Sequence, residues 1–101
     1  MREILYLDAA RAELDAAVLW YRDHRTAGMA EMFLADLSDA ILQIAEIPDA
    51  WPVSRIDSRV RVRHLRRLRY GLFDVVDSEA ITIVAIAHTS RRPGYWLDRI
   101  R

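Results

Sequence analysis

A chain of 101 residues, 52% apolar and 30% charged, has the size and composition of one folded domain spanning residues 1–101, which excludes intrinsic disorder. The absence of cysteine excludes a disulfide-stapled scaffold and any thiolate metal site, as expected of a protein of the reducing cytoplasm. Fifteen cations against fifteen acids sum to a formal charge of zero, which excludes a uniformly basic molecule of the kind that coats nucleic acid. No apolar stretch approaches the roughly 20 residues of a membrane span, so no membrane partner is expected.

Residues 2–7 alternate, with Ile4 and Tyr6 set against Leu5 and Leu7, and predict an opening strand that ends at Asp8, a good N-cap. Ala10, Leu14, Ala17, Val18 and Tyr21 recur at spacings of three and four, which predicts a first helix fraying at His24, Arg25 and Thr26. Trp20 and Tyr21 are expected to pack between helices, and His24 to be solvated. After a corner near Gly28, the stripe Ala30, Phe33, Leu34, Leu37, Ala40, Ile41 and Ile44 predicts a second helix, stopped by Pro48. Two amphipathic helices joined by a few residues make an antiparallel hairpin, whose apolar face must be buried against another layer.

Asp49 to Pro52 reads as a loop, and from Arg59 the period changes to two, with Val60 and Val62 on one face and Arg61 and Arg63 on the other. Leu65 breaks the alternation and predicts a bulge or bend near His64. A strand over about 69–76 and a turn at Asp77-Ser78-Glu79 lead into Ile81 to Ala87, a run apolar on both faces that marks a central strand covered on both sides. His88 to Arg101 reads as a loop followed by one helical turn, with Tyr95 and Trp96 closing the core beneath the sheet. The order β-α-α-β-β-β predicts an α+β fold, with the hairpin packed on a small, mainly antiparallel sheet and a short C-terminal helical turn.

All fifteen cations are arginine, and they are unevenly placed. Residues 1–50 hold four arginines against ten acids and residues 51–101 eleven against five, so the halves carry −6 and +6. Between Arg55 and Arg69 seven of fifteen residues are arginine, offset only by Asp57. Arginines are gathered in this way where a polyanion or an acidic partner surface meets them, and a two-faced molecule is expected.

Three segments, Ala17-Val18-Leu19-Trp20-Tyr21, Arg66-Arg67-Leu68-Arg69-Tyr70 and the tail Ile86 to Trp96, combine with this element order. Together they resemble the RelE/ParE superfamily, the toxins of type II toxin–antitoxin (plasmid stabilization) operons, over essentially the whole chain. The resemblance implies a hetero-oligomer with a cognate antitoxin, a small protein with a DNA-binding amino half and an amphipathic tail that wraps the toxin. It implies no cofactor. It also implies one of two activities: ParE-like poisoning of DNA gyrase without hydrolytic chemistry, or RelE-like cleavage of mRNA on the ribosome. A degenerate member that only sequesters an antitoxin is a third possibility. Many ParE-branch members carry Phe-Pro-Tyr where this chain has Leu68-Arg69-Tyr70, so the proline turn is absent here.

Cleaving RNA through its own 2′-hydroxyl needs a base, an acid and cations for the phosphorane. Under the ribonuclease alternative the candidates are His88 as acid or base with His64 in reserve, Arg66, Arg69 and Arg91 for phosphate charge, and Tyr95 as a donor or stacking group. A histidine ending a buried strand more often caps or packs than catalyses, and His88 is open to that reading. No His, Asp and Glu cluster has metal-ligand spacing, so no metal is expected. For target or nucleic-acid binding the candidates are Arg61, Arg63, Arg66, Arg67, Arg69, Arg91 and Arg92. The compensated total charge suits a protein target better than the dense RNA of a ribosome, which favours the ParE-like branch.

Overall fold

The computed structural model describes residues 2–101. Strand β1 (Glu3–Tyr6) leads into helices α1 (Asp8–His24) and α2 (Ala27–Glu46), and strands β2 (Arg61–His64), β3 (Tyr70–Val76) and β4 (Ala80–His88) complete the fold. Single 3-10 turns lie at Pro48–Ala50 and Leu97–Ile100. The sheet order is β1-β4-β3-β2, with β1 parallel to β4 and the other pairs antiparallel. This is the expected α+β arrangement.

The hairpin turns within Arg25 and Thr26, where the Thr26 hydroxyl accepts from the Met29 N–H at 3.1 Å. Gly28 therefore lies inside the first turn of α2 rather than at the corner. Leu7, not Asp8, holds the N-cap position of α1 and makes no side-chain cap bond. Asp8 opens the helix instead, where its carboxylate complements the positive end of the helix dipole. Phe33, Leu37 and Ile44 of α2, with Leu14 and Tyr21 of α1, bury Leu72, Ile81, Ile83 and Ile86 of the sheet. Full burial of each such side chain contributes about 1.5–3 kcal/mol. Leu34 and Trp20, expected in that core, are exposed, Trp20 by 42%. The Trp20 ring instead stacks on His24 along α1, with centroids 5.2 Å apart.

A smaller core fills the other face of the sheet from Val60, Val84, Ala85 and the tail residue Trp96, so β4 is covered on both sides as expected. Ile83 and Ile86 share the helix side although they are three residues apart, which strict alternation forbids. The ladder explains this: Phe73 pairs with Ala85 and Asp74 with Ile83, leaving Val84 as the extra residue of a bulge. The bend expected near His64 is present where β2 ends, and the bulge in β4 is additional to it. Strand β2 ends at His64, and Leu65 turns into the helix-side core with its N–H on the Tyr70 carbonyl at 2.9 Å. That bond closes the β2–β3 connection in the absence of proline.

Candidate target-binding face and the cluster behind it

The arginines singled out by sequence divide by what they touch. Arg63 pairs with Leu72 in the ladder and so lies on the helix side, where it donates to the Gln43 side chain at 2.7 Å and to the His64 carbonyl. Its guanidinium lies over Trp51, 4.5 Å from the ring centroid. Arg61, on the same side, donates to the Trp51 carbonyl at 2.5 Å and stands 3.6 Å from the Asp49 carboxylate. Arg67 forks onto Asp36 of α2 with bonds of 2.6 and 3.2 Å to Oδ1. Arg66, Arg69 and Arg92 are exposed and form no ion pair among the described residues. The two-faced charge expected from the sequence is thus corrected: Glu13, Asp36 and Asp49 from the acidic half are partners of arginines from the basic half.

Glu13 of α1 organises the tail. The Tyr95 hydroxyl donates to its Oε2 at 2.6 Å, and Arg99 donates to Oε1 at 2.8 Å and Oε2 at 3.1 Å. The Ile86 N–H reaches Oε1 at 3.1 Å, and Arg99 also donates to the Val84 carbonyl at 3.0 Å. Pairing with β1 stops at Ile83, so these two backbone groups lie on an edge that β1 no longer covers, and the cluster satisfies them. Burial pushes the Glu13 carboxyl up, but the bonds from Arg99, Tyr95 and Ile86 outweigh it and hold the group below its ordinary range. Burial, reinforced by the bond to Glu13, pushes the Tyr95 hydroxyl above its ordinary value, so it stays a protonated donor. Arg91 lies 3.8 Å from the Tyr95 ring centroid and 3.7 Å from Glu13.

Between the tail and the face of the sheet away from the helices is a cleft of about 300 Å³, floored by Val62, Phe73 and Trp96, with Arg55, Arg91 and Arg92 among its lining residues. Gly94 brings the tail against the loop before β2. Its φ of +79° is in the left-handed region, and an added Cβ would stand 3.1 Å from Ile56. His64 lines this cleft beside Gly71. His88 pairs with Tyr70 one register position on and meets that ring edge-on at 5.3 Å, which puts it on the helix side. The two rings therefore project to opposite faces of the sheet, although both residues border this cleft. His88 Nδ1 accepts the Ser90 N–H at 3.0 Å and lies 2.8 Å from the Ser90 hydroxyl, which makes Nε2 the N–H of the neutral ring. Among the described residues, no group of three His, Cys, Asp or Glu could hold a metal ion.

Residues 4–93 match the family model for the ParE toxin of type II toxin–antitoxin system, parDE. The chain belongs to the ParE toxin family. Among solved structures, the chromosomal ParDE TA system from P. aeruginosa contains a chain with the fold of this ParE-family protein. The TM-score is 0.75 at 19% identity, covering 87% of this chain and 96% of that one. None of the curated proteins matches in sequence.

Three acids of this ParE-family chain escaped sequence reasoning. Glu13 falls among Ala10, Leu14 and Ala17, and Asp36 among Phe33, Leu37 and Ala40, at the three-and-four spacing of buried positions. An acid at such a spacing calls for a cation from another element, and that was the available signal. Asp74, in the middle of β3, is fully buried and neither carboxylate oxygen has a partner. Burial pushes it up to about 6, opposed only in part by Arg61 across the ladder.

Proposed function

We propose that this ParE-family chain is the toxin of a type II module, neutralised by direct binding of a cognate antitoxin, and that it inhibits DNA gyrase without cleaving RNA itself. The engagement of the groups a ribonuclease would need in structural contacts carries the choice of target. A 2′-hydroxyl attack requires base, acid and cations around one phosphate. His88 borders the cleft that Arg91 and Arg92 line, but its ring packs edge-on against Tyr70 on the helix side and its Nδ1 is held by Ser90. The Tyr95 proton is committed to Glu13, and Arg66 stands exposed on the β2–β3 connection.

An apolar floor with arginines at its margin suits a protein surface that offers an apolar anchor within acidic surroundings. We assign target contact to Arg91 and Arg92 at that cleft, together with Arg66 and Arg69, which have no ion-pair partner. Arg61 ties β2 to the loop after α2, Arg63 ties it to Gln43 of α2, and Arg67 ties the β2–β3 connection to Asp36 of α2. The antitoxin is a small protein with a DNA-binding amino half and an amphipathic tail, and the two form a cytoplasmic hetero-oligomer.

Inducing the chain alone should arrest growth, and co-expressing its genomic neighbour should restore it. Absence of arrest, or arrest that the neighbour fails to relieve, overturns the toxin reading. Arrest should survive His88→Ala. In-frame cuts in translated messages, mapped by primer extension and lost in His88→Ala and Arg91→Ala, would instead establish a ribonuclease.

A further inference from the structure

Where the corner of the hairpin meets the β2–β3 connection, on the helix side of the sheet, there is a second cleft of about 550 Å³. Arg25, Arg67 and Arg69 line it with Tyr21, Tyr70 and His88, and no acid does. Arg67 is tied to Asp36, but Arg25 forms no ion pair and Arg69 no side-chain bond among the described residues. Tyr21 is only 6% exposed. Its hydroxyl and that of Tyr70 make no hydrogen bond among the described residues. The rings adjoin, Tyr21 to Tyr70 at 6.1 Å and Tyr70 to His88 at 5.3 Å between centroids. Burial raises both hydroxyls above their ordinary value, so both are donors at neutral pH. With Nδ1 held by Ser90, the His88 ring offers an Nε2 N–H as well.

We propose that this cleft binds a phosphate group, with Arg25 and Arg69 supplying charge and the Tyr21 and Tyr70 hydroxyls supplying directed donors. A planar carboxylate is matched by one guanidinium fork, as Asp36 is by Arg67. Donors that line one cleft from the end of α1, the β2–β3 connection and β3 suit a tetrahedral oxyanion, which accepts from several directions. The volume exceeds what a phosphate needs and leaves room for an attached nucleoside. The ligand is independent of gyrase, since the chain would bind it with no protein partner present.

The test is titration of the full chain at low salt, following tryptophan fluorescence, to which Trp20 in the cleft contributes, with three probes: a short single-stranded DNA, thymidine 5′-monophosphate and a glutamate peptide. At least one phosphate probe should bind. Arg69→Ala and Tyr70→Phe should each weaken it about tenfold, whereas Arg101→Ala, at the far end of the chain, should not. Only Arg69→Ala should also reduce the salt dependence of strand binding, by about one counterion. Tighter binding of the strand assigns a polynucleotide, and equal binding a free nucleotide. Failure of both phosphate probes to bind, variants that bind like the parent, an equal loss in Arg101→Ala, or equal affinity for the glutamate peptide would each overturn the site.

Discussion

Replacing Asp74 by asparagine should stabilise the protein at neutral pH and remove one limb of its pH dependence. The carboxylate is buried in β3 with both oxygens unpartnered, and its folded-state value is about 6 against an ordinary 3.8. That displacement corresponds to roughly 3 kcal/mol of unfavourable charge burial once the group is ionised. The native state binds the proton more tightly than the unfolded chain. The favourable contribution of the protonated group is therefore fully present below about pH 4 and is lost as pH rises through about 6. Asparagine is uncharged throughout. Urea denaturation of both proteins should show similar stability near pH 4, and a gain of about 2–3 kcal/mol for Asp74→Asn near pH 7.5. An asparagine variant less stable than the parent near neutrality, or a difference that does not change with pH, would refute the reasoning.

Glu13→Gln keeps the shape of the side chain but removes the anion that holds Arg99 and Tyr95. It should cost about 3 kcal/mol in thermal or urea unfolding and make the chain beyond Arg91 a faster protease target. Because the folded-state Glu13 carboxyl is held below its ordinary value of 4.5, its contribution is present above that pH and lost as pH falls through the folded value. Acid titration of stability should show that loss in the parent and not in Glu13→Gln. Gly94→Ala should lower stability by about 1–2 kcal/mol, measured by calorimetry, since alanine at a φ of +79° would be strained and crowd Ile56. Asp36→Asn should cost only about 1 kcal/mol, and less as salt is added, because Arg67 is largely open to solvent.

The helical hairpin was legible because Ala10, Leu14, Ala17 and Tyr21, and Ala30, Phe33, Leu37, Ala40 and Ile44, repeat at helical spacing and are all buried. The bulge at Val84 was not legible, since a run apolar on both faces conceals its own phase and only the pairing with β3 reveals it. Trp20 was expected to pack between the helices as a large aromatic residue, yet it stands outside the core, where His24 on the next turn offers its ring a partner. The arginine excess was visible, but its meaning depends on contacts between distant positions: Arg67 with Asp36, Arg99 with Glu13, Arg63 with Gln43. Such pairings are set by how the hairpin lies on the sheet, and no local pattern encodes them. His88 stood ahead of His64 in sequence, but only the strand register shows that their rings project to opposite faces.

Adding the purified chain to DNA gyrase with supercoiled plasmid and ATP tests most directly whether this ParE-family toxin acts on that enzyme. Supercoiling should fall, cleaved plasmid should accumulate, and the antitoxin encoded next door should reverse both. Unchanged supercoiling and cleavage, accompanied by in-frame cuts in the translated messages of arrested cells, would contradict gyrase as the target.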